Sequence, residues 1–382
     1  MRATLATMER FDVAVIGGGM VGTAIAYGCA VQGARVALLD EGDVALRAAR
    51  GNFGLVWGQS KGDGMPAYGD WTRQSIRLWP DLAERVSGLA GRDVHYRATG
   101  GLGFCLDERE LEAKAAFVRR RHNDGHATLR MLDRRELLDL MPGCPLGPEV
   151  LGASFDPSDG HADPLVLLQG MQAGLLRAGG QHRPGARVTG IDGAAGAWRI
   201  ARADGSAVEA SRVVVAAGVA TTPIAAMVGI DVPVRPVRGQ NIVTERLDPI
   251  LPLPASALRQ TGDGTIQIGV TNEDDGSFEI ATTTAALARM AARAIRVLPA
   301  IRGARMNRAW AALRPMTPDG FPAYAESATH PGCFVATCHS GVTLAAVHAG
   351  PLAAGILAGR LPDFAIDLHP ERFRGMTHVS SH

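Results

Sequence analysis

A chain of 382 residues, 46% hydrophobic and 20% charged, is long enough for two domains with a sizeable core. Its 39 basic and 38 acidic residues leave a net charge of +1, which disfavours partners held by bulk charge, such as nucleic acid or an anionic membrane surface. The five cysteines (Cys29, Cys105, Cys144, Cys333 and Cys338) form no C-x-x-C pair. That odd, scattered set reads as reduced thiols of a cytoplasmic protein, without a disulfide frame or an iron–sulfur site.

The first ten residues, MRATLATMER, carry no long apolar core and no cleavage pattern, so no signal peptide is expected. Residues 12–40 read as strand, helix, strand. Val13 to Ile16 form the continuous apolar run that a buried parallel strand requires. A small-residue helix runs from about Met20 to Gln32 and stops at Gly33, and "ARVALLD" is the second strand. Between them, "AVIGGGMVG" places Gly17, Gly19 and Gly22 in G-x-G-x-x-G spacing, with Asp40 at the end of the next strand, 18 residues past Gly22. Gly17 permits the tight turn, Gly19 lets the backbone approach a pyrophosphate, and Gly22 lets helix and strand pack closely. The helix N-terminus adds amide donors for the phosphates, and Asp40 accepts from ribose hydroxyls.

Farther along, residues 93–150 mix the strand-like "HYRATGGLGFCLD" with charged helices around 108–124 and 133–140. "SRVVVAAG" (211–218) is another buried strand ending in glycine. Residues 232–313 hold "VPVRPVRGQNIVTE" and "GTIQIGVTNE", β-branched and bounded by turn residues, then a helix over 283–297. "GCFVATCHSG" (332–341) is a late strand, followed by "GVTLAAVHAGPLAAGILAG", whose His348, Pro351 and small residues predict a buried core helix and not a membrane span. The expected fold class is α/β. A Rossmann-type dinucleotide domain is assembled from distant segments, and an inserted α+β domain carries an antiparallel sheet. No metal site is expected, since no H-x-E or C-x-x-C motif occurs.

Four stretches, in order, resemble the FAD-dependent D-amino acid oxidase superfamily, which includes glycine oxidase and sarcosine oxidase. They are "DVAVIGGGMVGTAIAYGCAVQGARVALLDEGD", "FDPSDGHADPLVLLQGM", "RVVVAAGVATTPIA" and "LRPMTPDGFPAY…GCFVATCHSGVTLAAVHAG". The similarity runs from about residue 11 to 375. Within it, "RGNFGLVWGQSKG" and "WTRQSIRLWP" are similar to β-subunits of heteromeric opine (octopine, nopaline) dehydrogenases and their hydroxyproline and proline relatives.

The resemblance implies FAD as cofactor. It assigns residues 1–90, 151–230 and 315–382 to the FAD-binding domain, and 91–150 and 231–314 to the substrate domain. Besides Gly17, Gly19, Gly22 and Asp40, it places Met20, Val21 and Glu41 at the nucleotide. Ala49, Asn52, Phe53, Gly54 and Leu55 fall in the loop beside the pyrophosphate and flavin, where Ala49 stands in place of the usual serine and its phosphate contact. Val188 falls at the adenine, Ala217 and Gly218 at the strand end, and Ser340, Gly341, Val342, Thr343 and Leu344 in the late loop over the flavin's pyrimidine end. A helix starting near Thr343 would aim its positive end there. Leu313-Arg314-Pro315-Met316 holds no cysteine where some sarcosine-oxidase relatives attach FAD, so the cofactor is expected to be non-covalent.

Arg314 matches the family's carboxylate-binding position and is the expected catalytic and substrate-anchoring residue, because a guanidinium holds a carboxylate bidentately. Trp57, Gln240 and His339 are the other expected substrate contacts. Arg238 is read as a solvated or interface residue, and His161 as structural at the domain junction. The implied reaction is oxidation of the C–N bond of an N-substituted or cyclic amino acid within a cytoplasmic hetero-oligomer. An α-subunit, with a possible small iron–sulfur subunit, would accept the electrons. Alternatives left open are a single-subunit peroxide-producing oxidase and a non-catalytic FAD-bearing subunit. A partner would dock on an exposed apolar patch expected around Trp71–Trp79.

Overall fold

The computed structural model describes residues 8–42, 48–123, 125 and 128–375. Strand Arg10–Ile16 is flanked in parallel by Val36–Leu39 and Ala207–Val215. Gln181–Arg183 extends the sheet on one side, and Cys333–Thr337 and the antiparallel Ala323–Glu326 on the other. Successive side chains of each strand enter different cores. Val13, Val15, Val36, Leu38 and Val214 face one set of helices, while Ala14, Ile16, Ala37, Leu39 and Val213 face the opposite layer. Both faces are covered there, which is why Val13–Ile16, Val36–Leu39 and Val213–Val215 are apolar throughout.

The first helix, Met20–Val31, sits on the first of these faces with Pro66–Ala90 and Pro164–Arg177. Its small residues are spatially required: a side chain on Gly28 would overlap the Ala349 carbonyl. The expected late core helix forms over Ala345–Ala358, with a π-helical stretch at His348–Leu352 around Pro351. The missing N–H of a mid-helix proline is one recognised cause of such a bulge.

Two antiparallel sheets make the second part of the molecule. One has four strands, Leu258–Gln260, Thr265–Gly269, Arg235–Arg246 and Met306–Met316; the other has Gly101–Cys105, Gly152–Asp156 and Arg130–Asp133. A bridge between Leu102 and Ala255 joins them. Helix Thr284–Val297, capped by the Thr283 hydroxyl, closes their shared core through Ala294 and Val297. Strand Gly152–Asp156, grouped by sequence with the nucleotide-binding segments, is the central strand of the three-stranded sheet.

The segment Trp71–Trp79 is core, contrary to the expected docking patch. Trp71 is 2% exposed and stacks on Phe364 with ring centroids 3.4 Å apart; Trp79 is fully buried and stacks on Tyr96. The helix carries an interior proline, Pro80, and its apolar face turns both indoles inward.

Candidate functional site

A cavity of about 600 Å³ opens where the parallel strands end, the usual ligand crevice of such a sheet. Gly17, Gly19, Met20 and Val21 line it from the first loop, Asp40 and Glu41 from the second strand, and Ala49 and Asn52 from the loop that follows. Val188, Ala217, Gly218, His339 and Gly341 complete its wall. Gly22, Phe53, Gly54, Leu55, Ser340, Val342, Thr343 and Leu344 lie outside that lining.

The glycine loop has the geometry its spacing predicts. Gly17 has φ +110°, and a Cβ there would come within 2.9 Å of the Ala217 Cα. A Cβ on Gly22 would overlap the Gly17 carbonyl oxygen. Asp40 ties the loop to the neighbouring strand: its carboxylate accepts from the Gly18 amide at 2.5 Å and the Gly42 amide at 2.7 Å. In the next loop the Asn52 side chain accepts from the Gly54 amide at 2.7 Å, and Gly54 takes φ +86°. These bare backbone surfaces, with an acidic pair at the strand end, fit a dinucleotide cofactor.

The loop 339–344 is fixed by a clamp that sequence reasoning missed. Residues 68, 75 and 79 recur at helical spacing and present one face of helix Pro66–Ala90 to it. The Ser75 hydroxyl and the Trp79 indole N–H both donate to the Thr343 carbonyl, at 2.6 and 3.1 Å. The Tyr68 hydroxyl meets the Ser340 hydroxyl at 2.6 Å. The Thr343 hydroxyl donates to the Leu55 carbonyl and accepts from the Trp57 amide, each at 3.2 Å. Thr343, Val342 and Leu344 are therefore buried struts of the loop, while His339 and Gly341 reach the cavity.

Arg314 lies on strand Met306–Met316, directly opposite Val237. Its neighbours Leu313 and Pro315 line the cavity, and its own guanidinium lies over Gly239, where a side chain would collide with it. It donates to the Thr271 carbonyl at 2.9 Å. Burial lowers its pKa, partly offset by the charge of Glu273. Glu273 is itself committed to Arg238 at 2.8 Å, to the Gln240 amide at 2.7 Å and to the Thr271 hydroxyl.

Gln240 sits on the other side of its strand from Val237, and its side chain is consumed there. It donates to Glu273 and Thr283 and accepts from the Thr283 amide at 2.8 Å. Arg238 shares that side and the Glu273 ion pair. Trp57 is 6% exposed, its ring packed against Gly101, where a side chain would collide with it. His161 bridges the loop strand at Leu55 and the buried Arg259, whose Nη1 stands 3.3 Å from its Nδ1; burial and that charge push its pKa down to about 3.

The Arg314 charge also reaches His339 and Lys61. The Lys61 ammonium lies 3.2 Å from His339 Nε2. Burial first, then the two cations, holds the His339 ring neutral, far below its usual range. Asp159, buried beside Asp156, is raised to about 8. Its carboxylate accepts from the Gly58 amide and, at 2.8 Å, from the Gln59 side chain. Cys338 also lines the cavity; burial raises its thiol to about 12 and keeps it protonated. Among the described residues, no group of three or more His, Cys, Asp or Glu side chains could hold a metal ion.

A doubly covered parallel sheet with a glycine cradle, roofed by an antiparallel sheet that offers a half-buried arginine, defines a dinucleotide-dependent oxidoreductase. The chain belongs to the DAO family of FAD dependent oxidoreductases, whose family model matches residues 12–355. It is an FAD-dependent enzyme of that family. It is 37% identical over 334 residues to an opine oxidase subunit from Rhizobium meliloti, covering 87% of this chain and 89% of that one. It is 27% identical to the glycine oxidase of Bacillus licheniformis, covering 82% and 84%. Among solved structures, glycine oxidase from Geobacillus kaustophilus superposes with a TM-score of 0.84 at 24% identity, over 93% of this chain and 96% of that one. L-proline dehydrogenase from P. horikoshii gives 0.82 at 22%, over 96% and 98%. At these identities the two structures bear on the fold alone. Among the described residues no helix is long and apolar enough to cross a membrane.

Proposed function

We propose that this chain oxidises the C–N bond of an N-substituted or cyclic amino acid, of opine, hydroxyproline or proline type, as the catalytic β-subunit of a cytoplasmic hetero-oligomer. The observation that carries this reading is the half-buried Arg314. No carboxylate lies within ion-pair distance of it among the described residues, so its charge is available to a substrate. The likeness to an opine oxidase subunit supports both the substrate class and the place within a larger assembly.

FAD, when bound, supplies a two-electron acceptor for the hydride on the substrate's α-carbon. The chain's own part is positioning. Arg314 would take the α-carboxylate in a charge-assisted, bidentate pair. The positive field of Arg314 and Lys61 disfavours a protonated amine, and so favours the neutral form that oxidation requires. The clamp on Thr343 and Ser340 holds the loop at the cavity rigid. Electrons would then leave to an α-subunit, with or without a small iron–sulfur subunit.

A second reading, a self-sufficient oxidase that passes electrons to oxygen and releases peroxide, is favoured by the likeness to glycine oxidases. Purified FAD-loaded chain should be mixed anaerobically with octopine, nopaline, hydroxyproline, proline, sarcosine and glycine, and then exposed to air. Loss of flavin colour with an opine or a cyclic amino acid, returning slowly in air, is the expected result. Fast re-oxidation with stoichiometric peroxide would favour the second reading. Colour unaffected by every compound would overturn both, and would leave a non-catalytic FAD-bearing subunit.

A further inference from the structure

We propose that Lys61 anchors a second carboxylate, so that the site takes a secondary amine carrying one carboxylate on each branch, one held by Arg314 and the other by Lys61. This rests on the amine-oxidising reading above and adds a specificity residue to it.

Lys61 is held in place and lacks a counter-ion among the described residues. It closes a turn, its amide donating to the Gly58 carbonyl at 2.9 Å, and the following Gly62 takes φ +81°, where a side chain would strike Gly69. The Arg121 guanidinium donates to its carbonyl. The backbone is thus fixed from two sides. Among the described residues the ammonium meets only the neutral His339 ring, at 3.2 Å, and His339 lines the cavity. No carboxylate of these residues lies within ion-pair distance of Lys61. Of the acidic groups that act on it, the Cys338 thiol is kept protonated by burial, and Asp159 has its oxygens occupied by the Gly58 amide and the Gln59 side chain.

Burying an ammonium beside an arginine without a bound anion is unfavourable. The arrangement is explained if an anion completes it. One carboxylate would satisfy Arg314 and leave Lys61 uncompensated. Two carboxylates flanking a secondary amine neutralise both cations and leave His339 between them as a neutral contact.

The test uses two ethers that the enzyme cannot oxidise: diglycolate, with two carboxylates, and methoxyacetate, with one. Each is titrated into the FAD-loaded chain and read by the flavin difference spectrum. The wild type should bind diglycolate about 10- to 100-fold more tightly, the usual worth of a hydrogen bond to a charged group. Lys61→Met should lose most of that preference and leave methoxyacetate binding within about twofold. Lys61→Arg should restore part of it, which guards against a merely structural loss. Equal weakening of both ligands in Lys61→Met, or an unchanged preference, would overturn the proposal. Arg314→Met should weaken both ligands. If it weakens neither, the Arg314 anchor fails, and the diglycolate preference still measures Lys61.

Discussion

Replacing Arg314 with methionine removes the cation proposed to hold the substrate while keeping a side chain of similar length and apolar stem. Hydrogen bonds to charged groups contribute about 1.5–3 kcal/mol each, and a bidentate pair makes two. Against this stands a gain in the free enzyme. Arg314 is half-buried, has only the Thr271 carbonyl as hydrogen-bond acceptor among the described residues, and has its pKa lowered by desolvation. A net loss of about 3 kcal/mol remains, which raises the apparent dissociation constant by roughly two orders of magnitude. FAD should stay bound, because the guanidinium packs over Gly239 and does not line the nucleotide cavity. The assay is an anaerobic titration with the best amine substrate, read by flavin absorbance, with FAD content and melting temperature measured alongside. A substrate titration unchanged in the variant, with FAD retained, would refute the assignment of Arg314.

Gly22→Ala places a methyl group on the Gly17 carbonyl, so the first helix must move off its strand; overpacking of about 1–3 kcal/mol and loss of bound FAD should follow, measured by flavin content after gel filtration. Thr343→Val removes the hydroxyl that links Leu55 and Trp57, and should lower stability by about 1 kcal/mol and speed FAD dissociation in a dilution assay. Acid precipitation should release all the flavin into the supernatant, since Leu313–Met316 offers no attachment cysteine and the Cys338 thiol is held protonated; yellow colour retained on the pellet would contradict this. His348, its Nε2 paired with the Tyr324 hydroxyl at 2.8 Å, is pushed down to about 3 by burial. Its folded pKa lies below the unfolded one, so the stability it contributes is present above about pH 6.5 and is lost as pH falls towards 3. At pH 5 the cost is roughly 2 kcal/mol. The stability gap between wild type and His348→Gln should therefore narrow from pH 7 to pH 5, whereas parallel curves would contradict it.

The nucleotide half was legible because its signals are local. The buried parts of the parallel strands, such as Val13–Ile16 and Val36–Leu39, are continuous apolar runs, and the 17-19-22 glycines with Asp40 specify a turn whose φ and close approaches the structure reproduces at Gly17 and Gly22. The second half was less legible because its chemistry depends on register. Val237, not Gln240, stands opposite Arg314, so Gln240 falls on the other side of its strand and is consumed by Glu273 and Thr283. The clamp of Tyr68, Ser75 and Trp79 on the 339–344 loop joins residues more than 260 positions apart. In sequence Trp71 and Trp79 of that helix read as an apolar patch. Lys61 is silent for the same reason: a lysine in a turn signals nothing until a fold buries it beside His339.

The central claim, that this chain removes a hydride from the carbon bearing a substrate's amine, is tested most directly by an isotope effect. FAD-loaded chain is mixed anaerobically in a stopped-flow instrument with octopine, either unlabelled or deuterated at both carbons that carry its secondary nitrogen and a carboxylate. The expected result is loss of flavin colour that is slowed several-fold by deuterium in the wild type, and a much weaker apparent affinity in Arg314→Met. Flavin colour that persists with octopine and every other amine, yet is lost when a nicotinamide dinucleotide is added, would contradict it.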